Sequence, residues 1–326
     1  MSKLKTISKA LVLLHYGVFF KGITYALKKD KKYKELNQVE YLNWAGSHRL
    51  NYKVDVLNPR SMNEKINWLK LFYRNSLWYE VTDKLKAKEY AVEVLKEAGI
   101  ERPEQYLPKT YQVVKQCSEL NLEALPNKFV LKTNNDSGSV FICEKGKTNF
   151  EEIFKKLDIS VKHQYSSGNY EWIYDKIENH IFAEECLEPF KGNDLFDYKM
   201  QMFNDKFGYC LLCSNRAKNI KMDFFDENYN HLPISKGAGH NKKNEAVYDK
   251  PKQWEEMLKI SKILGKQFPL LRVDFYNTSE GIKLGELTLF GGSGFSFFHP
   301  KQYDFIFGSM IELPKPNFNL DLLGKK

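Results

Sequence analysis

The chain has 326 residues, of which 42% are hydrophobic and 14% aromatic. That is enough to bury a core in two or three lobes and too apolar for an intrinsically disordered protein. Five cysteines (117, 143, 186, 210 and 213) are an odd count without paired spacing, which argues against a disulfide framework and fits a reducing cytoplasm. The net charge of +9 is concentrated at the start, where residues 1–34 hold nine lysines against Asp30 alone.

In that basic segment Leu4, Ile7, Leu11, Leu14 and Val18 recur at helical spacing, flanked by lysines. The apolar run from Ala10 to Phe20 is broken by His15 and Gly17 and falls short of the ~20 residues a spanning helix needs. No small-residue cleavage site follows, so the segment does not read as a signal peptide. It is expected either to lie in an anionic membrane surface or to pack on the protein's own body. The basic residues lack an interleaved base-reading motif, and no nucleic-acid partner is expected.

In Asn58-Pro-Arg-Ser-Met-Asn-Glu-Lys65, Ser61 or Asn63 is positioned to cap a helix running through Ile66, Trp68, Leu69 and Phe72. Asp83 is expected to cap an amphipathic helix carrying Ala91, Val94, Leu95 and Ala98, which Gly99 ends. Lys109–Glu119 reads as helix or strand. Phe129-Val-Leu-Lys-Thr133 is an apolar strand with a lysine in it, followed by the tight loop 134–139 and a second strand, Val140–Cys143. This is either an ordinary hairpin or a lysine beside a nest of backbone N–H groups that holds a phosphate. Neither a P-loop nor a Gly-x-Gly-x-x-Gly motif is present.

Ile181–Glu188 reads as a strand leaving its sheet into a loop, and Asp197–Phe203 and Gly208–Ser214 as antiparallel strands. Cys210-Leu-Leu-Cys213 sits in an apolar run and reads as core. Residues 215–250 are polar, with Gly237-Ala-Gly239, and are expected to form a substrate loop. A helix over Trp254–Leu264 precedes Leu271-Arg-Val-Asp-Phe-Tyr276, the turn Asn277–Gly281, the strand Gly285–Leu289 and the loop Gly291-Gly-Ser-Gly294.

Period-two alternation puts Arg272, Asp274 and Tyr276 on one face of this hairpin and gives Glu286 and Thr288 a shared face. If Tyr276 pairs with Ile282, Arg272 lies opposite Glu286 and Asp274 is diagonal to it. The pair is either a cross-strand ion pair on a solvated face or a carboxylate couple suited to magnesium against phosphates.

The order of these elements resembles the ATP-grasp superfamily, and within it the TupA-like group of teichuronopeptide and capsular-polysaccharide biosynthesis. The matching stretches are Asn63-Glu-Lys-Ile-Asn-Trp68, Thr82-Asp-Lys84, Phe129–Lys132 with its loop, Asp197-Tyr-Lys199, Arg272–Tyr276, Gly285–Thr288 and Gly292-Ser-Gly294. The resemblance implies an α+β fold in which two lobes with antiparallel sheets clamp a nucleotide, with an N-terminal helical segment added. Its expected divisions are a basic segment over 1–35, a helical region over 36–125, a small lobe over 126–190, a C-terminal lobe over 191–314 and a tail over 315–326.

The cofactors it implies are ATP and magnesium. Lys84 and Lys132 would contact phosphates under a loop of Asn134, Ser137, Gly138 and Ser139. Glu184, Glu185 and Leu187 would form the adenine-reading hinge. Asp274, Glu286 and Thr288 would hold metal, and Arg272 and Lys199 would act on the transferred group. Thr288 departs from the Asn usual at its position. Glu188 and Asp194 are the candidate ribose acids.

The implied reaction joins a carboxylate-bearing sugar or amino acid to an amine through an acyl phosphate; a cytoplasmic location is expected, and the basic start of the chain would suit a peripheral place at the inner face of the plasma membrane. The runner-up, a glycosyltransferase of the same pathway, is weakened by the lack of any Asp-x-Asp. A degenerate ATP-grasp scaffold is a third reading.

Overall fold

A computed structural model describes residues 36–136, 138–163, 169–190, 192, 194–215, 220–236 and 248–319. The basic segment 1–35, Ser137 and the glycines at 237 and 239 lie outside the described residues.

Two antiparallel sheets dominate the fold. The smaller has the order β1-β4-β2-β3, from Thr110–Val114, Ile181–Glu185, Lys128–Thr133 and Val140–Glu144. The larger has the order β11-β10-β5-β6-β7-β8. Its strands are Gly281–Thr288, Leu271–Thr278, Asp197–Phe203, Lys206–Ser214, Lys221–Phe225 and His231–Leu232. A two-stranded ribbon pairs β9 (Ser235–Lys236) with β12 (Phe298–His299). With its helices the chain is α+β, as expected, and the expected antiparallel pairing of β5 with β6 is present.

Alternation divides the side chains of each sheet between two faces. In the small sheet Phe129, Leu131, Cys143, Ile181 and Ala183 bury against α5 (Phe150–Ser160). The residues between them, Val130, Lys132, Phe182 and Glu184, therefore face the other way. In the large sheet Met200, Met202, Cys210, Val273 and Phe275 pack with Trp254, Met257 and Leu264 of α6 (Trp254–Gly265). Cys210 and Cys213 are buried thiols outside any disulfide, in line with their reading as core.

The helices α1 (Gln38–Leu50) and α2 (Met62–Phe72) begin with capping boxes, Asn37 with Glu40 and Ser61 with Glu64. Residues of α2, α3 (Leu77–Thr82) and α4 (Lys86–Glu97) share one core with the large sheet. The helix α2 also buries a polar face. Asn63 exchanges two 2.8 Å hydrogen bonds with the backbone of Ser296, and Asn67 donates to the Gly294 carbonyl at 2.9 Å. Lys70 donates to the Ser293 carbonyl at 3.1 Å. These bonds pin the loop Gly291–Gly294, where Gly292, Ser293 and Gly294 all have φ between 55° and 67°.

Of the two readings open for Lys109–Glu119 the structure shows strand: β1, at the edge of the small sheet, followed by a 3-10 turn at Cys117–Glu119. Three local expectations are corrected. Residues 221–236 contain three short strands rather than a continuous loop. Asp83 follows α3 and accepts from the Leu85 N–H at 2.9 Å, while the N-cap position of α4 belongs to Leu85; Gly99 ends α4 as expected, at φ 81°. The third correction is the hairpin register: Tyr276 pairs with Lys283, not Ile282. Asn277 and Thr278 continue the strand because neighbours take up their polar groups. The Asn277 N–H donates to Phe196 and its carbonyl accepts from Phe190, and the Thr278 hydroxyl donates to the Gly281 carbonyl at 2.7 Å.

Candidate functional site

A β-bulge at Gly285 decides the geometry of the cleft. It inserts one residue opposite the step from Asp274 to Phe275, so Asp274 faces Glu286 directly and Arg272 faces Thr288. A side chain at Gly285 would place Cβ 2.7 Å from the Tyr276 ring, so the bulge requires glycine. The two residues are thus direct cross-strand partners rather than the diagonal neighbours expected from the sequence.

On this floor the charges are chained. Arg272 grips Asp274 with Nε at 2.6 Å and Nη2 at 2.8 Å, and Nη2 also donates to the Thr288 hydroxyl at 3.0 Å. Thr288 in turn donates to Glu286 at 3.0 Å. Lys199 bridges Asp274 at 2.5 Å and Asp197 at 2.7 Å. Burial alone would raise the Asp274 carboxyl, but Arg272 and Lys199 outweigh it and hold the group down at about 2.

The opposing wall comes from the small sheet and α4. Glu184 is buried between Lys132, with which it forms a short ion pair, and Lys88 at 2.7 Å. Burial lowers Lys88 and Lys84. It acts the same way on Lys132, but the Glu184 carboxylate beside it wins and the net shift is upward. Glu184 is pushed up by burial and pulled further down by the two lysines, so it is ionised at neutral pH. Lys84, Lys88, Lys132, Phe182, Glu184, Gly285 and Glu286 line one cleft between the two sheets.

Several expected contacts are placed elsewhere. Asn134 is fully buried and committed: its amide donates to the Glu178 carbonyl at 2.9 Å and accepts from the His180 N–H at 2.7 Å. It shapes the loop rather than facing the cleft. Ser139 turns its hydroxyl inward to Asp136 at 2.5 Å, and Ser160 reaches the same carboxylate at 2.6 Å. Gly138, at φ 146°, has open space where a side chain would be. Lys84 donates to the carbonyls of Thr133, at 3.1 Å, and Asp136, which ties α4 to the loop.

Glu184 lies inside β4, paired to Val130 on one side and Thr110 on the other, so its carboxylate and not its backbone reaches the cleft. Glu185 is also engaged, exchanging hydrogen bonds with the Lys109 backbone. Leu187 lies past the end of the strand, in the segment that leads across to the large sheet at the Pro189–Thr278 bridge. Of the ribose candidates, Glu188 pairs with Lys128 at 2.8 Å and Asp194 accepts from the Asn215 N–H at 2.5 Å.

Sequence reasoning missed Lys88, the side-chain role of Glu184, and Asp136. The spacing of Lys84 and Lys88, four residues apart, was the available signal for the first. It also missed Tyr174, whose hydroxyl burial and the nearby Glu171 and Glu286 push up, and Lys236, which burial lowers to about 8.

Among the described residues no three His, Cys, Asp or Glu side chains gather as a metal cage. Asp274, Glu286 and the Thr288 hydroxyl are hard oxygen donors, and two carboxylates are what magnesium takes when phosphates and water complete its shell. The donor set fits such an ion and does not fit a metal held by protein alone.

A model of the family described as TupA-like ATPgrasp matches residues 64–312. No curated protein matches the chain. Among solved structures, D-alanine–D-alanine ligase from Bacillus anthracis complexed with ATP is 16% identical, with 64% of this chain and 55% of that one covered at a TM-score of 0.34. An L-amino acid ligase from Bacillus licheniformis is 14% identical over 64% and 43% of the chains at 0.37. D-alanine–D-alanine ligase from Helicobacter pylori is 16% identical over 72% and 61% at 0.42. The chain thus spans less than two thirds of the length of each of these structures. With the family model spanning both sheets and every strand of the cleft, this chain belongs to the TupA-like ATP-grasp family.

Proposed function

We propose that the chain is an ATP-dependent carboxylate–amine ligase of cell-surface polysaccharide synthesis. The observation that carries this reading is Glu286, paired with Asp274 across the hairpin and lining one cleft with Lys84, Lys88 and Lys132. Phosphoryl transfer depends on positioning and on neutralising charge spread over the phosphoryl oxygens, and this cleft concentrates cations where that charge develops.

In the reaction, a substrate carboxylate oxygen attacks the γ-phosphorus and ADP leaves. An amine nitrogen then attacks the acyl carbon, and phosphate and the amine proton depart. Lys132 and Lys84 would hold the phosphates, and the segment at Leu187 would present free backbone to the adenine. Arg272 and Lys199 are already charged and desolvated, so they stabilise the transferred group without reorganising. Asp274, Glu286 and the Thr288 hydroxyl would hold magnesium, which would supply Lewis-acid neutralisation of phosphate charge.

The test is phosphate release from ATP screened over uronic acids and amino acids with amine acceptors. Glu286→Gln and Lys132→Ala are each expected to lower turnover about 10²–10³-fold while the protein stays folded. Unchanged turnover in either variant refutes these roles. A preference for UDP- or GDP-sugars over ATP in the same screen would favour the glycosyltransferase.

The polysaccharide setting rests on the family resemblance, and the lysine-rich start of the chain supports a peripheral position on an anionic leaflet. Among the described residues no helix is long and apolar enough to cross a membrane. Salt-sensitive binding to anionic liposomes that disappears on deleting residues 1–34 is the expected result. Salt-independent partitioning argues against it.

A further inference from the structure

Three lysines line the cleft, and their ammonium groups are not equally available to a ligand. Each ammonium has three N–H donors. Lys88 spends all three on the protein: on the Pro108 carbonyl at 2.9 Å, the Thr110 hydroxyl at 2.8 Å and the Glu184 carboxylate at 2.7 Å. Lys84 spends two, on the carbonyls of Thr133 and Asp136. Lys132 spends one, on the other oxygen of Glu184, and among the described residues it has no further hydrogen-bond acceptor. Lys132 therefore keeps two donors for a phosphate, Lys84 keeps one and Lys88 keeps none.

Helix stability does not account for Lys88 either. It lies in the first turn of α4, where a cation opposes the helix dipole. What it meets there is Glu184, whose two carboxylate oxygens are divided between Lys88 and Lys132. Its second acceptor, Thr110, is the partner of Glu184 across β1 and β4, so the same ammonium ties both strands to α4.

A carboxylate in the wall of a phosphate site is a liability: it repels the ligand and cancels the charge of the lysine beside it. Two ammonium groups and one carboxylate leave one positive charge in this cluster, and without Lys88 none is left. We propose that Lys88 is a positioning residue for nucleotide binding, which neutralises Glu184 without touching the phosphates and so leaves the charge of Lys132 to them. This role rests on the ATP reading of the cleft.

Calorimetric titration of MgATP into the full chain tests it in wild type, Lys88→Met and the double variant Lys88→Met with Glu184→Gln. Lys88→Gln, which keeps a donor for Glu184 but not the charge, is carried through the same pair, and circular dichroism checks each fold. Either Lys88 variant is expected to bind MgATP about tenfold or more weakly than wild type. Adding Glu184→Gln is expected to restore most of that affinity, because the charge that Lys88 answers is gone and the amide oxygen still accepts from Lys132. A lysine in contact with phosphate, or one that only braces the wall, would show no such recovery. Double variants as weak as the Lys88 variants therefore overturn the proposal, and so does wild-type affinity in the Lys88 variants. Loss of fold in both Lys88 variants would assign the residue to stability alone and overturn it too. A wild type that binds no MgATP sinks the ATP reading, and the proposal with it.

Discussion

Glu184 is the residue on which the small-lobe side of the cleft balances. It is 4% exposed and faces two ammonium groups, so its removal would leave Lys88 and Lys132 buried and repelling one another. Glu184→Ala is expected to cost about 3–5 kcal/mol, read from the urea midpoint. Lys132→Ala is expected to cost much less, since Lys88 still neutralises Glu184. Equal costs for the two would show that the triad is not the unit. Asp274 adds a pH dependence of definite sign. Its carboxyl sits at about 2 in the folded chain against an ordinary 3.8, so the unfolded chain takes up the proton first. The stability it contributes is fully present above pH 4 and is lost as pH falls from about 4 through 2. Urea midpoints over that window should fall in wild type and fall less steeply in Asp274→Asn; parallel slopes would contradict the assignment.

At the level of elements, the strands were legible where polar and apolar residues alternate or where an apolar run is short. Leu271–Tyr276 read correctly from its alternation and Phe129–Thr133 from its apolar run. The hairpin turn did not, because Asn277 and Thr278 are polar residues whose groups are satisfied by Phe196, Phe190 and Gly281, contacts invisible along the chain. Gly285 read as the start of the second strand rather than as the bulge a strand glycine often marks, and that one-residue slip set which residue faces Asp274. Asn134 misled for the opposite reason: an Asn in a Gly/Ser loop reads as a ligand contact, yet here the side chain is spent on residues 178 and 180. Another close approach was equally silent. A Cβ at Gly308 of α7 (Gln302–Met310) would lie 2.1 Å from the Arg60 carbonyl oxygen and 2.7 Å from the Met62 N. Backbone cannot step aside as a side chain can. Gly308→Ala is expected to destabilise by about 1–3 kcal/mol or more by forcing α7 off the start of α2. A variant within error of wild type in thermal melting would show that this contact is slack.

Taken whole, the molecule sets two sheets of unequal size across a shared cleft. Helices α2 to α4 are built into the larger core, and the segment 186–190 leads from the last strand of the small sheet to the hairpin of the large one. The order of motifs identified the family before any coordinates, because each cleft strand keeps its lysine or carboxylate at a readable position. Distances between those strands were not readable, since they depend on the bulge and on the packing of α2 against Gly291–Gly294. The central claim is that MgATP binds in this cleft with Lys132 against its phosphates. Isothermal titration of MgATP into wild type and into the Lys132→Ala variant tests it most directly. The account predicts saturable binding by wild type and at least a tenfold loss of affinity in the variant, with its fold intact by circular dichroism. Equal affinity in the two, or no heat of binding in wild type, would contradict it.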